Sequence, residues 1–156
     1  MGGLPRPILI RQIATKAVQQ NLDQITSQPV NSWRTNGVYK ELLRSGVVLT
    51  LGGPHNHVYT MFDYMAPGTR CIGRWRMRAT SNGSFYLVPS LATKTIEMCG
   101  PRNGHTATLA AEGAGIVVTL FAFMDMAEGP LGADPYNNLL AFAEQHPEGG
   151  SICKLL

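Results

Sequence analysis

The pattern of apolar and polar positions is clearest between residues 70 and 89. Arg74, Arg76 and Arg78 alternate there with apolar residues that include Trp75 and Met77. Because successive side chains of a strand point to opposite faces, this period of two predicts a β-strand. A second apolar run follows closely, and the two together predict a central hairpin over about residues 72–89.

The turn at Ser81, Asn82 and Gly83 decides which hairpin residues share a face. A two-residue loop would place the arginines beside large apolar residues, whereas a three-residue loop with Gly83 in the left-handed conformation pairs Ala79 with Phe85. Only the second register collects one apolar face, since a slip of one residue turns every side chain over. That face is predicted to hold Trp75, Met77, Phe85 and Leu87. The outer face is predicted to hold Arg74, Arg76, Arg78, Tyr86 and Val88.

The remaining periodicity predicts an α+β fold. Residues 93–98 and 105–109 read as two more strands, so the prediction is one antiparallel four-stranded sheet packed with several helices. Residues 111–127 are apolar on almost every side and predict a central helix. Further helices are predicted over residues 37–43 and 57–65 and from the N-cap Asp134 to residue 146, while residues 47–51 read as a buried strand or an extended tether.

The N-terminal segment is predicted to be a helical extension, residues 1–30, attached to one compact domain, residues 31–156. Apolar residues recur near the helical period over residues 8–25. Pro29 is predicted to stop that helix, because the residue before a proline avoids the helical region.

Composition narrows the classes of protein. Of the 156 residues, 44% are hydrophobic and 15% charged, which favours a folded domain over disorder. No apolar stretch reaches the roughly 20 residues that a membrane span needs, and the three cysteines form no C-x-x-C pair. A soluble protein of the reducing cytoplasm is expected.

Charge is distributed unevenly along the chain. Residues 1–102 hold 12 Lys and Arg against 4 Asp and Glu, and residues 103–156 hold one Lys against 6 Asp and Glu. A basic half suits nucleic acid or an acidic protein surface, although the two halves could equally fold against each other. The candidate binding residues are Arg74, Arg76, Arg78 and Tyr86, and a solvated sheet face is the alternative interpretation.

Other candidate chemistry is weak. His55 and His57 could share one side of an extended segment, but no third or fourth metal ligand lies near them. A Cys-His nucleophile pair would need a spatial adjacency that no motif indicates. His146 suits the negative end of a helix dipole, and Gly115 suits close packing of a helix on a sheet. No metal, cofactor or catalytic residue is predicted.

Three ordered segments carry a resemblance to a known family. They are SNGSFYLVP (residues 81–89), LAAEGAGIVVTL (residues 109–120) and FAEQHPE (residues 142–148). In this order the chain resembles the ArdB/KlcA antirestriction family. The residues that match its motifs are Ser81, Asn82, Gly83, Phe85, Tyr86, Pro89, Ala114, Gly115, His146, Pro147 and Glu148.

The resemblance implies a protein of plasmids, phages and related mobile elements that relieves type I restriction of incoming DNA. No cofactor or catalytic residue is established for that family. The hypothesis for this chain is therefore binding to a host restriction-modification or other defence protein, or to DNA itself, without catalysis. A net charge of +3 argues against imitation of DNA, which needs a strongly acidic surface. A nucleic-acid-binding module that uses the basic half and the arginine strand is the alternative. Ala110 and Val88 depart from the family pattern, which usually has Ser and Ala there.

Overall fold

The computed structural model describes residues 24–44, 54–129 and 131–156. Its strands are β1 (Ser27–Val30), β2 (Arg76–Thr80), β3 (Phe85–Val88), β4 (Thr95–Cys99) and β5 (Thr106–Ala110). Its helices are α1 (Gly37–Arg44), α2 (Pro54–Met65), α3 (Ala111–Asp125), α4 (Asp134–Gln145) and α5 (Gly149–Leu155), with a 3-10 turn at Trp33–Thr35. The mixed α+β class is confirmed. The predicted segment 47–51 and almost all of the predicted helix 8–25 lie outside the described residues.

The predicted hairpin register is confirmed. Ala79 pairs with Phe85 and Met77 with Leu87, and Gly83 has a φ of 91°, in the left-handed region. Met77, Phe85 and Leu87 are buried as predicted, and Trp75 packs half-buried against the core. The register is therefore the one that buries the apolar face of the hairpin.

The single four-stranded sheet is wrong. The strands form a three-stranded sheet in the order β1-β2-β3 and a separate two-stranded sheet of β4 and β5. The outer edge of β3 is taken by helix α3, because the Leu87 amide donates to Thr119 Oγ1 at 3.2 Å. Within the described residues, β4 pairs with β5 and not with β3.

Pro29 lies in strand β1, opposite Arg78. The helix that it was predicted to stop lies almost entirely outside the described residues, so that prediction is not tested. The Ser81 amide donates to the Thr26 carbonyl at 2.8 Å, and hydrogen-bonded positions alternate along an antiparallel pair. The nitrogen of Pro29 therefore points away from β2, where its missing hydrogen costs no ladder bond. A proline is tolerated in an edge strand for this reason. The predicted boundary at residue 30 stays a prediction, but residues 27–30 belong to the sheet.

Helix α3 is the centre of the core, as predicted. Every residue from 113 to 123 is buried. The helix contacts β3 as well as the sheet of β4 and β5. Its close approach to β3 depends on Gly115, where a Cβ atom would overlap the carbonyl oxygen of Leu87. Among the described residues, no helix is long and apolar enough to cross a membrane.

The C-terminal part differs from the prediction in two details. Ala133 is the N-cap of α4, and Asp134 is the first helical residue rather than the cap. Helix α5 was not predicted at all, since its sequence has two glycines and no clear amphipathic pattern. Ile152 and Leu155 of this helix are nonetheless fully buried.

Candidate functional site

The three family-like segments converge on the N-terminus of helix α3. Tyr86 comes from strand β3, Glu112 from the first turn of α3, and His146 and Glu148 from the link between α4 and α5. Together with Ser27 and Arg78, these residues are called the polar network below. Hydrogen bonds and one longer polar contact connect all of them.

Tyr86 is the centre of the polar network. Its hydroxyl donates to Glu112 Oε1 at 2.7 Å and lies 3.0 Å from Ser27 Oγ. Burial, reinforced by the negative charge of Glu112, raises the pKa of Tyr86 to about 12. The phenol therefore stays protonated and acts as a donor at neutral pH.

Tyr86 was predicted to share an exposed outer face, and this is wrong. Its side chain is fully buried, and Val88 on the same face is 4% exposed. Phe142 of α4 stacks on the Tyr86 ring with centroids 5.5 Å apart, so both faces of β3 are covered. The alternation of apolar residues in one strand cannot show that a later helix covers the other face.

Arg78 is bound within the protein rather than presented outward. Its Nε atom donates to Ser27 Oγ at 2.9 Å and its Nη2 atom to the Ser27 carbonyl at 3.0 Å. These two bonds tie β2 to β1 across the face that also holds Tyr86. Arg78 is therefore a structural residue of the polar network.

Glu148 replaces the side-chain cap that helix α3 lacks. Ala110 is the N-cap and offers no side-chain hydrogen bond, but the Ala110 amide donates to Glu148 Oε2 at 2.9 Å. The carboxylate also packs against Gly113, where a Cβ atom would overlap it. A negative charge at a helix N-terminus is favourable, so Glu148 stabilises the start of α3, where Ala110 offers no capping side chain.

His146 follows the last residue of α4, as predicted for a helix terminus. The Glu148 amide donates to its Nδ1 atom at 3.1 Å, and its Nε2 atom lies 3.6 Å from Glu112 Oε1. An acceptor role for Nδ1 places the proton on Nε2, facing the Glu112 carboxylate. His146 thus orients the residues on both sides of it.

The Ser81-Asn82-Gly83 turn is anchored on two elements. Ser81 Oγ accepts from the Thr26 amide at 2.9 Å, just before β1. Asn82 Nδ2 donates to the Asn138 carbonyl at 2.7 Å, and Ser84 Oγ donates to the Pro135 carbonyl at 2.8 Å, both in α4. The family-like turn thus connects the start of β1 to α4 through hydrogen bonds.

Residues of the middle motif form the seam between α3 and β3. Ala114 is fully buried, and Gly115 permits the backbone contact with Leu87. Thr119 Oγ1 accepts from the Leu87 amide and donates to the Gly115 carbonyl at 2.7 Å. Sequence reasoning missed Thr119, since a threonine in an apolar helix reads as ordinary core. It also missed Ser27, for which the sequence contains no signal.

Arg74 and Arg76 differ from Arg78, because both are exposed. Neither makes a hydrogen bond or an ion pair with another residue in the described parts of the chain. Of the four candidate binding residues, these two are exposed, whereas Arg78 is half-buried and Tyr86 is fully buried. Pro89 ends the hairpin segment just after β3, and Pro147 is exposed between His146 and Glu148.

The two neighbouring histidines contact different partners. His55 Nδ1 is hydrogen-bonded to the Tyr39 hydroxyl, and burial lowers the pKa of His55. His57 Nε2 lies 2.8 Å from Asp125 Oδ2, which links α2 to the end of α3. The structure therefore does not bring them together. Within the described residues, no group of three or more His, Cys, Asp or Glu could hold a metal ion.

Comparison with known proteins gives consistent findings. A family model described as "Antirestriction protein" matches residues 69–156. Antirestriction protein KlcA of Escherichia coli is 39% identical over 90 residues, which cover 53% of this chain and 62% of KlcA. The uncharacterized protein YafX of Escherichia coli (strain K12) is 30% identical over 104 residues, which cover 64% of this chain and 68% of YafX.

A solved structure shares the fold. It has a TM-score of 0.68 and 28% identity and covers 84% of this chain and 94% of that chain. It is described as showing that the KlcA and ArdB proteins have a novel fold and antirestriction activity against type I DNA restriction systems in vivo but not in vitro. The matched region 69–156 contains every residue of the polar network except Ser27.

Proposed function

Since the chain belongs to the antirestriction protein family, we propose that it alleviates type I restriction of incoming DNA. The observation that carries this proposal is the convergence of the three family-like segments on one polar network. Tyr86, Glu112, His146 and Glu148 are distant in sequence and are joined by contacts of 2.7–3.6 Å. A shared fold with a structure described as antirestrictive supports the same conclusion.

We propose further that the protein acts by binding a protein component of the host. The related proteins are described as active in vivo but not in vitro. A protein that blocked the restriction enzyme directly would be expected to act on purified components as well. A host component that purified reactions lack would account for that difference in the related proteins, and we propose the same requirement for this chain.

Imitation of DNA is not part of the proposal. A DNA mimic competes for phosphate-binding sites with a dense array of carboxylates. This chain has 13 Lys and Arg against 10 Asp and Glu, and its basic residues dominate the first two thirds. Binding without catalysis is proposed as well, because the polar network uses its donors and acceptors to join elements of the fold.

Plating of phage tests the proposed activity. Unmodified phage is plated on a host with a type I restriction system, with and without this protein, and on a matched host with a type II system. We expect plating efficiency to rise only in the type I host. Unchanged restriction at verified expression of the folded protein would refute the proposed function.

A second assay tests the proposed mechanism. Purified type I enzyme is incubated with this protein and DNA, alone and after addition of extract from the restricting host. We expect inhibition only when extract is present. Inhibition by the purified protein alone would support direct action on the enzyme and contradict the requirement for a host component.

A further inference from the structure

A concave site with a basic rim lies beside the ends of strands β1 and β2. It is a groove of about 870 Å³ between the end of β1, the residues that lead into β2, and helices α1 and α2. Its wall includes Arg34, Arg74, Arg76, His55, Tyr59 and Trp75. Among the described residues that line it, none is acidic. This site is called the arginine-aromatic groove below.

Arg74 and Arg76 place positive charge on the rim of the groove. Both are exposed, and neither has a hydrogen-bond or ion-pair partner in the described part of the chain. Arg74 lies just before strand β2 and Arg76 is its first residue, so the two guanidinium groups lie on one rim of the groove. Guanidinium groups bind phosphate through paired N–H donors, which makes a linear phosphate-bearing ligand the natural complement.

The aromatic wall of the groove is rigid. Trp75 lies between Tyr59, with ring centroids 5.0 Å apart, and Phe62, with centroids 5.1 Å apart. Phe62 is buried, whereas Trp75 and Tyr59 are half-buried and line the groove. His55 meets Tyr59 edge-on at 5.8 Å and stacks on Tyr39 at 5.9 Å. These rings are held by one another, so a planar ligand would find a preformed surface.

The ionisation of the wall also suits an electron-rich planar ligand. Burial lowers the pKa of His55 and raises the pKa of Tyr59, so both rings are neutral at pH 7. Positive charge is therefore confined to the arginines, and the rings offer apolar surface. This separation of charged arginines from neutral rings matches a strand of nucleotides, in which the backbone is charged and the bases are flat.

We propose that the arginine-aromatic groove binds single-stranded nucleic acid. Arg74 and Arg76 contact successive phosphates, and one or two bases stack against the rings of Tyr59 and Trp75. A volume near that of a drug-sized ligand pocket admits one or two nucleotides but no duplex, whose bases are already stacked on one another. The groove borders the polar network, because Arg76 also lines a neighbouring cleft that contains Arg78 and Glu112. The proposal does not depend on the proposed antirestriction activity.

Fluorescence anisotropy with the full chain tests the proposal. The probe is a labelled single-stranded oligothymidine, with a duplex of the same length for comparison. We expect the single strand to bind more tightly than the duplex and to bind more weakly as salt rises. The double variant Arg74→Ala/Arg76→Ala should reduce the slope of log K against log salt by about 1.4, because each single-strand phosphate contact contributes about 0.7.

A matched control separates the groove from general charge. The variant Arg102→Ala/Lys154→Ala also removes two exposed positive charges, but neither residue lines the groove. We expect it to bind the single strand like the unmodified chain. The variant Tyr59→Leu keeps apolar bulk without the ring and should bind roughly 5-fold or more weakly, as expected for loss of one stacked base.

Several outcomes would overturn the proposal. They are no binding at low salt, equal loss in the groove and control variants, or duplex binding as tight as single-strand binding. Competition by polyglutamate as effective as competition by oligothymidine would instead show an acidic protein segment as the ligand. Circular dichroism of each variant establishes that it is folded. Phage plating with Arg74→Ala/Arg76→Ala separates this proposal from the antirestriction activity, which does not require that the groove bind nucleic acid.

Discussion

Arg78 and Arg76 lie two residues apart on strand β2, and their surroundings are opposite. Arg78 is flanked by β1 and β3 and is held by two hydrogen bonds to Ser27. Arg76 lies at the end of the ladder, exposed and without a partner among the described residues. The two arginines of one strand thus have different roles. Arg78 joins β2 to β1 inside the polar network, and Arg76 presents its charge at the arginine-aromatic groove. The extent of the sheet around each residue decides its role.

The largest expected effect is on stability, and it tests the close packing of α3 on β3. These two elements carry Glu112 and Tyr86 of the polar network. Gly115→Ala introduces a Cβ atom that overlaps the Leu87 carbonyl, so α3 must move away from β3. We expect the free energy of unfolding to fall by about 2–3 kcal/mol, in spite of the better helix propensity of alanine. Urea denaturation measures it.

Gly150→Ala in helix α5 is the matched control for that substitution. No atom lies within 4 Å of its Cβ position, so stability should stay within about 0.5 kcal/mol or rise slightly. Equal destabilisation by both substitutions would mean that the contact between α3 and β3 is not as tight as described.

The second prediction compares the two arginines directly. Arg78→Ala removes two hydrogen bonds to Ser27 and should lower the free energy of unfolding by about 2 kcal/mol. Arg76→Ala should change it by less than about 0.5 kcal/mol, because an exposed residue without partners contributes little. Urea midpoints at constant slope distinguish the two. Similar losses in both variants would abolish the distinction between a cross-link and a free charge.

The smallest expected effect concerns pH. Burial raises the pKa of Tyr86 to about 12, above the ordinary value of 10, so the folded state holds this proton more tightly than the unfolded state. The stability that follows is complete below pH 10 and is lost as pH rises toward 12. Tyr86→Phe should cost about 1 kcal/mol at pH 7 and flatten the decline between pH 10 and 12.

Tyr39 provides the comparison for that titration. Burial raises its pKa to about 12 as well, and it lies in the arginine-aromatic groove. Tyr39→Phe should therefore flatten the same decline independently of Tyr86→Phe. Chemical denaturation at a series of alkaline pH values measures both. An unchanged decline in the Tyr86 variant would show that its environment does not favour the protonated phenol.

Local patterns predicted the parts of the fold that depend on neighbours in sequence. The hairpin register followed from the alternation around Met77 and the turn at Gly83, and the central helix followed from its apolar composition. Contacts between distant segments were not predictable in the same way. Nothing near Ser27 indicates that it would accept from Arg78, 51 residues later. The stacking of Phe142 on Tyr86 could not be predicted for the same reason, because the two residues are far apart in sequence.

The candidate site shows the same division. The family-like segments identified Tyr86, His146 and Glu148, but no pattern in the sequence indicated that these residues belong to one hydrogen-bonded network. Their convergence needed the positions of three elements at once. Arg74 and Arg76 were identified as candidates from alternation alone. Tyr59 was not a candidate, because its helix was predicted only from the apolar residues that face the core. The association of that ring with the arginines appears only in three dimensions.

The closure of both edges of the three-stranded sheet determines how another molecule can attach to it. On one side, Thr119 already accepts from the Leu87 amide. On the other, the outward nitrogen of Pro29 has no hydrogen, and Arg78 already binds the carbonyl of Ser27. Neither edge offers a continuous row of backbone groups in the described chain, so a guest strand could not extend this sheet. A partner that binds this sheet must therefore contact side chains, so its affinity would be sensitive to single substitutions.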